Sequence, residues 1–257
     1  MLPREHGAYG QLLLPLATAL AISDIHVSAS LTSVAALAAF LAHEPLVVLL
    51  GRRGARARRE QHRRAIRWLV VSGDIAIAGG LGAVASAPAP SRWLFAWPLV
   101  PAALVAGLAL TGREKTTVGE ITSAVSFAAI AIPVCGVSAA SPLRGFVVAF
   151  AFAALFIIST LGVRVVILGN RGGGDPHAVR VTRLQLAVAV VLVAIGLSLI
   201  WGFEARTGIA ALAILPGVAF ASGLAIRPPA PRRLRAVGWT MVSTTALLAI
   251  TLVAAFR

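Results

Sequence analysis

The sequence predicts an all-α fold, a polytopic transmembrane bundle of about nine helices with a cytoplasmic N-terminus, and three observations carry that expectation. Of the 257 residues, 58% are hydrophobic and 12% charged, where a water-soluble domain carries about a quarter charged. Mean hydropathy is +0.89, and several apolar stretches approach the roughly 20 residues that carry a helix across a hydrocarbon core of about 30 Å. Most of the basic residues fall between these stretches, as they do in the loops of membrane proteins.

Cut at its charged or Gly/Pro-rich breaks, the chain yields nine segments within a single transmembrane domain spanning 1–257. The first, 8–23, carries "QLLLPLATALAI" and stops at Asp24. The second, 27–50, ends where "GRRGARARREQHRR" begins, and the third, 66–86, resumes beyond that run and stops at "APAPSR". The fourth, 93–112, is closed by Arg113, Glu114 and Lys115, and the fifth, 117–138, is rich in small residues. The sixth, 144–169, ends at "GNRGGGDPH"; the seventh, 183–203, ends before Glu204. The eighth, 207–226, and the ninth, 236–256, flank "RPPAPRRLR".

The net charge of +14 and a pI near 11.9 suit nucleic acid only if the arginines share a soluble face with aromatic platforms. They lie between apolar runs instead, in a chain with one tyrosine, so no nucleic-acid partner is expected. With the N-terminus inside, 19 of the 23 basic residues fall on the cytoplasmic side, leaving Arg92, Arg144, Arg206 and Arg257 outside, which is the positive-inside distribution. The run from Arg52 to Arg67 is first of all an anchor touching anionic lipid headgroups. It also suits an anionic substrate headgroup. Cys135 is the single cysteine, which excludes a disulfide within the chain. Glu5 and His6 beside a single arginine argue against a cleaved signal peptide.

Ionisable side chains within spans are costly and mark functional candidates. His43 and Glu44 lie about 10 Å inward from the cytoplasmic end of the second segment at 1.5 Å per residue, and Asp74 is at similar depth on the third. Arg164 is shallower, Glu120 is about one turn in, and His6 stands at the mouth of the first segment. All fall on the cytoplasmic half, which predicts a polar cavity open to that side with an apolar floor. Each has a plainer reading: Arg164 can snorkel to the headgroups, Asp74 and Glu120 can pair with Arg67, Arg113 or Arg164, and His43 can bond across helices. His6, His43, Glu44 and Glu120 lack HxxxH or ExxH spacing, so no metal site is expected. Prolines 15, 45, 98, 101, 133 and 216 fall inside segments, where they remove backbone hydrogen bonds. No nucleotide-binding GxxxxGK[ST] loop and no GxSxG elbow is present.

The opening "PREHGAYGQLLLPLATAL" resembles the N-terminal signature of the YwiC-like family of bacterial membrane proteins, and "HEPLVVLLGRRGARARRE", "TVGEITSAVSFAAIAIP" and "LGVRVVILGNRGGGDPHAVR" extend the resemblance. It implies residence in the bacterial cytoplasmic membrane. The order of segments is also similar to the UbiA-type intramembrane prenyltransferases. These have nine helices, a cytoplasmic N-terminus and active-site loops after helices 2 and 6. Their aspartate-rich motifs, of the NDxxDxxxD and DxxxD kinds, hold magnesium on a prenyl diphosphate. At the corresponding places this chain carries His43, Glu44 and arginines, then Asn170, Arg171 and Asp175. Such a set is poor for magnesium and better suited to direct guanidinium contacts with phosphate.

Three functions follow. The first is a UbiA-like lipid (prenyl) transferase, with Glu44, His43 and Asp74 as proton-transfer residues and Arg164, Arg52, Arg53, Arg171, Glu120 and His6 binding substrate. Its partner is a membrane lipid, isoprenoid or quinone-like, with the anionic headgroup at the cytoplasmic face; the sequence specifies no cofactor. The second is a transporter or lipid carrier using the same cavity. The third is a noncatalytic membrane scaffold that docks an acidic partner on the arginines.

Overall fold

The computed structural model describes residues 6–138, 141–170, 175–203 and 205–257. Among these the secondary structure is helical without strands: α1 His6–Ile22, α2 Val27–Leu49, α3 Ala55–Ser86, α4 Ala96–Thr111, α5 Thr117–Ala129, α6 Ala131–Gly136, α7 Pro142–Asn170, α8 Pro176–Phe203, α9 Ala205–Ala211, α10 Leu215–Ile226 and α11 Leu234–Phe256. Eight helical segments of the described residues are long and apolar enough to cross a membrane, and Gly7–Ile22 is a shorter apolar helix. The chain is thus a multi-pass membrane protein, and the segments deduced from hydropathy match these rods.

Three of the rods are interrupted, and a proline accounts for each interruption. A proline at position i has no N–H for the carbonyl of residue i−4 and crowds it. Pro98 therefore acts at Leu94, where the 3₁₀ turn Ala89–Phe95 gives way to α4. Pro133 acts at Ala129, the last residue of α5. Pro216 acts at Leu212, where the 3₁₀ turn Leu212–Ile214 separates α9 from α10.

The chain forms two compact units, Met1–Gly145 and Phe146–Arg257. In the first, α2 and α3 make a close antiparallel pair. Buried positions on α3 are Ala65, Ser72, Gly79 and Ala83, small residues spaced to lie along one face. The Ser28 hydroxyl donates to the Ala83 carbonyl at 2.6 Å, and a Cβ on Gly79 would lie 3.3 Å from both the Leu31 carbonyl oxygen and the Ala35 Cβ. Tyr9 of α1, Phe40 of α2 and Phe127 of α5 stack edge-on, with centroids 5.0 and 5.7 Å apart. In the second unit the fully buried Phe152, Leu155, Ile158 and Leu161 lie on α7. Gly196 of α8 meets Phe150, and Gly162 meets the backbone of Ala221 on α10. Val166, Leu224 and Val237 join α7, α10 and α11.

At 32 residues, α3 is about 48 Å long at 1.5 Å per residue, longer than the hydrocarbon core. It begins eleven residues before the deduced third segment, so the arginine run is helical from Arg56 onward. Arg56 and Glu60 form an i,i+4 pair there, at 2.7 Å.

Candidate functional site

Two glycine closures build the polar end of the first unit. At the end of α2 the Gly51 N–H donates to the Val48 carbonyl and the Arg52 N–H to Val47. At the end of α4 the Gly112 N–H donates to Ala109 and the Arg113 N–H to Leu108. Both are Schellman closures, in which the residue beyond the helix adopts a left-handed conformation that suits glycine; φ is +75° at Gly51 and +74° at Gly112. The first closure turns the chain back, so that the two arginines after it return over α2 and α4.

Arg53 reaches back to Glu44. Its Nε donates to Glu44 Oε1 at 3.0 Å and its Nη2 to Oε2 at 2.7 Å, the bidentate fork a guanidinium forms with a carboxylate. Glu44 is buried, with 6% of its side chain exposed against 28% for Arg53. The hydrogen bonds to Glu44 raise the Arg53 pKa above its ordinary value, burial opposing in part. Arg52 crosses to α4, donating to the Leu110 carbonyl at 3.3 Å. Its guanidinium lies over Gly112, where a Cβ would come within 2.6 Å of it.

His43 faces the other connection. Its Nε2 lies 3.1 Å from Glu114 Oε2, and the imidazole is 32% exposed. Glu114 sits in the turn between α4 and α5, held by the Gly112 closure on one side and by Thr116 on the other. Thr116 caps α5 by accepting from the Gly119 N–H and donates to the Arg113 carbonyl at 2.7 Å. An ionised carboxylate only accepts, so Nε2 carries the proton of this bond, and in the neutral ring Nδ1 is then the acceptor.

Of the residues singled out from sequence, His43, Glu44 and Arg53 thus stand in two pairs at the turn-bearing end of α2, with Arg52 beside Gly112. Glu120 is half-buried in the first turn of α5, where its charge acts on Lys115. Asp74 is exposed and has no hydrogen bond or ion pair among the described residues. The inward face of α3 includes Ser72, and two residues further on the helix has turned roughly 200°, so Asp74 points away from α2. Arg164 is half-buried on α7 in the second unit. Arg171 and the side chain of His6 lie outside the described residues. Glu114 was missed by the sequence reading because it belongs to a short connection, not to a span. The available signal was a carboxylate between a helix-ending glycine and a capping threonine.

An open groove of about 730 Å³ lies where α2 ends and α3 begins, lined by Leu50, Gly51, Ala55, Arg58, Arg59 and His62. Among the described residues no group of three or more His, Cys, Asp or Glu side chains is placed to hold a metal ion. Guanidinium groups of this kind can hold an anion and an imidazole can move a proton.

Residues 2–135 match the family model described as YwiC-like protein. The match ends inside α6, within the first compact unit, and it contains both ion pairs and the groove. The stretch "LGVRVVILGNRGGGDPHAVR" lies beyond it. No curated protein matches the chain, and no solved structure does.

Proposed function

This chain belongs to the YwiC-like family, and on that premise we propose that it is a lipid-modifying protein of the bacterial cytoplasmic membrane. In this reading it is a divergent UbiA-like transferase, acting on an isoprenoid or other lipid whose anionic headgroup lies at the cytoplasmic, arginine-bearing end. The observation that carries the reading is the His43–Glu114 pair: a part-exposed imidazole oriented by a carboxylate, directly beside a buried ion pair. A histidine held in one tautomer by a carboxylate is a common general base, efficient because its ordinary pKa is close to neutral.

The roles divide by partner. As the acceptor bonds to the isoprenoid carbon, that carbon's bond to the diphosphate oxygen breaks and diphosphate leaves with the electron pair, neutralised by guanidinium groups; His43 Nδ1 receives the acceptor's proton, and Glu114 orients the ring and stabilises the imidazolium. Glu44 is engaged on both oxygens by Arg53, which makes it a positioning residue that fixes the end of α2. The lipid tail lies against apolar helix faces while guanidinium groups neutralise the headgroup without a metal.

The test is mass spectrometry of lipids retained by the gently extracted protein, followed by conversion assays on whatever is found. A retained isoprenoid phosphate or quinone-like lipid is expected. His43→Gln, which keeps a hydrogen bond to Glu114 but cannot take up a proton, is expected to abolish conversion, and Asp74→Asn to leave it intact. Protein that retains no lipid, or His43→Gln converting like wild type, overturns the proposal.

A further inference from the structure

The arginines around the α2–α3 turn differ in what they already hold. Arg53 is occupied by Glu44 and Arg56 by Glu60. Arg58 and Arg59 are exposed and have no acid partner among the described residues, and together with His62 they line the open groove. His62 is one turn beyond Arg58, and Ala55 is one turn before it, so these side chains stand over one another on one edge of α3. Ala55 is too short to fill the space beside Arg58. Gly51 leaves the floor open: a Cβ there would be 3.7 Å from the Arg58 Cδ. Leu50, the residue directly after spanning helix α2, supplies an apolar wall.

We infer that this groove binds the phosphate headgroup of a membrane lipid, a phosphomonoester or diphosphate in the leaflet on the arginine-bearing side. Two adjacent guanidinium groups and an imidazole present more donors than one phosphate can use, in the fork geometry that fits its oxygens. The source is a lipid, not free phosphate, because half the lining is apolar and the groove opens where α2 leaves its span, so a tail below the phosphate continues along the bundle. A nucleic acid or acidic protein would instead follow the exposed stripe Arg56, Arg59, Arg63 and Arg67, spaced to share one helix face and leading away from Leu50. The inference rests on the lipid reading above and names residues that reading does not use.

The full chain in phosphatidylcholine nanodiscs is titrated with dioctanoyl phosphatidic acid and, separately, with inorganic phosphate, and bound ligand is counted by native mass spectrometry. Phosphatidic acid is expected to saturate one site and inorganic phosphate to bind far more weakly. Replacing both groove arginines, Arg58→Gln with Arg59→Gln, is expected to weaken phosphatidic acid at least about tenfold, the scale of losing one charge-assisted hydrogen bond. Arg63→Gln with Arg64→Gln removes the same charge outside the groove and is expected to change affinity by less than about twofold. Equal weakening by the two pairs, equal affinity for inorganic phosphate, or no saturable binding overturns the inference. The groove and the transferase reading fail separately. His43→Gln is expected to bind phosphatidic acid like wild type, and loss of groove binding in a protein that still converts its lipid would sink the groove alone.

Discussion

Glu44 and Lys115 show how far single residues depend on their neighbours. Glu44 reads from sequence as a costly charge in a span, and the structure explains its tolerance: Arg53, nine residues on, returns through the Gly51 closure to occupy both oxygens. Removing one member of a buried pair leaves the other uncompensated. Glu44→Gln is therefore expected to cost about 2 kcal/mol, less than the roughly 3–5 kcal/mol for breaking a fully buried pair, because Arg53 keeps some water. Thermal melts in detergent check this. Adding Arg53→Gln should restore part of the loss, and a double variant no more stable than the two losses summed would show that the pair is not coupled. Lys115, the single lysine of the chain, is exposed, and partial desolvation lowers its pKa below 10.5, with the Glu120 charge opposing. A lowered pKa means more neutral amine at a given pH, so peptide-resolved acylation of Lys115 should show a pH midpoint under 10.5. Glu120→Gln removes the opposing charge and should move that midpoint lower still; a midpoint moved upward would contradict the assignment. His43 and Glu44 were legible in the sequence as polar groups at apolar depth. Their partners were not, because pairing depends on how two turns fold back, which periodicity does not encode.

Most helices were legible because hydropathy and charged breaks are local properties of the chain. The third segment was read eleven residues short, since hydropathy sees only the part of α3 inside the membrane. The run Ala55–Arg67 is polar but rich in good helix formers, and the Arg56–Glu60 pair supports it, so the helix continues outward. The three interruptions were partly legible: the prolines were visible, but whether a proline breaks its helix depends on context. Pro15 and Pro45 lie within unbroken helices. Small residues on α3 illustrate a second limit. In "AIAGGLGAVAS" Gly79 and Gly80 are equivalent by composition, yet Gly79 faces Leu31 and Ala35 while Gly80 has nothing within 4 Å of an added Cβ. Gly79→Leu is therefore expected to force α2 and α3 apart at about 1–3 kcal/mol, the usual cost of overpacking, while Gly80→Leu is tolerated. Thermal stability of the two variants side by side checks this; equal losses would mean that the α2–α3 contact is not the one described.

At the scale of the whole molecule, the family match and the polar chemistry fall in the same half of the chain. Residues 2–135 carry the match, lie within the compact unit Met1–Gly145, and include His43, Glu44, Arg53, Glu114 and the groove. The second unit is a helical body with its own core around α7 and α11. What orders all the spans relative to the bilayer is charge. If nine segments cross in alternation from a cytoplasmic N-terminus, 19 of 23 basic residues face the cytoplasm, and the C-terminal Arg257 lies outside. The reverse orientation would require carrying the arginine-rich start of α3 across the membrane, against the bias that short basic connections impose. Fusions of a fluorescent reporter that matures only in the cytoplasm are expected to light when placed after Arg113 and to stay dark at the C-terminus, with a periplasm-active phosphatase giving the reverse pattern. Replacing Arg52, Arg56, Arg58, Arg59, Arg63, Arg64 and Arg67 by glutamine should then produce a mixed orientation, because those side chains supply much of the asymmetry. Fluorescence from the C-terminal fusion of the unaltered chain would overturn this topology, because seven candidate spans follow α2 and set the C-terminus opposite the arginine run whether or not α1 crosses.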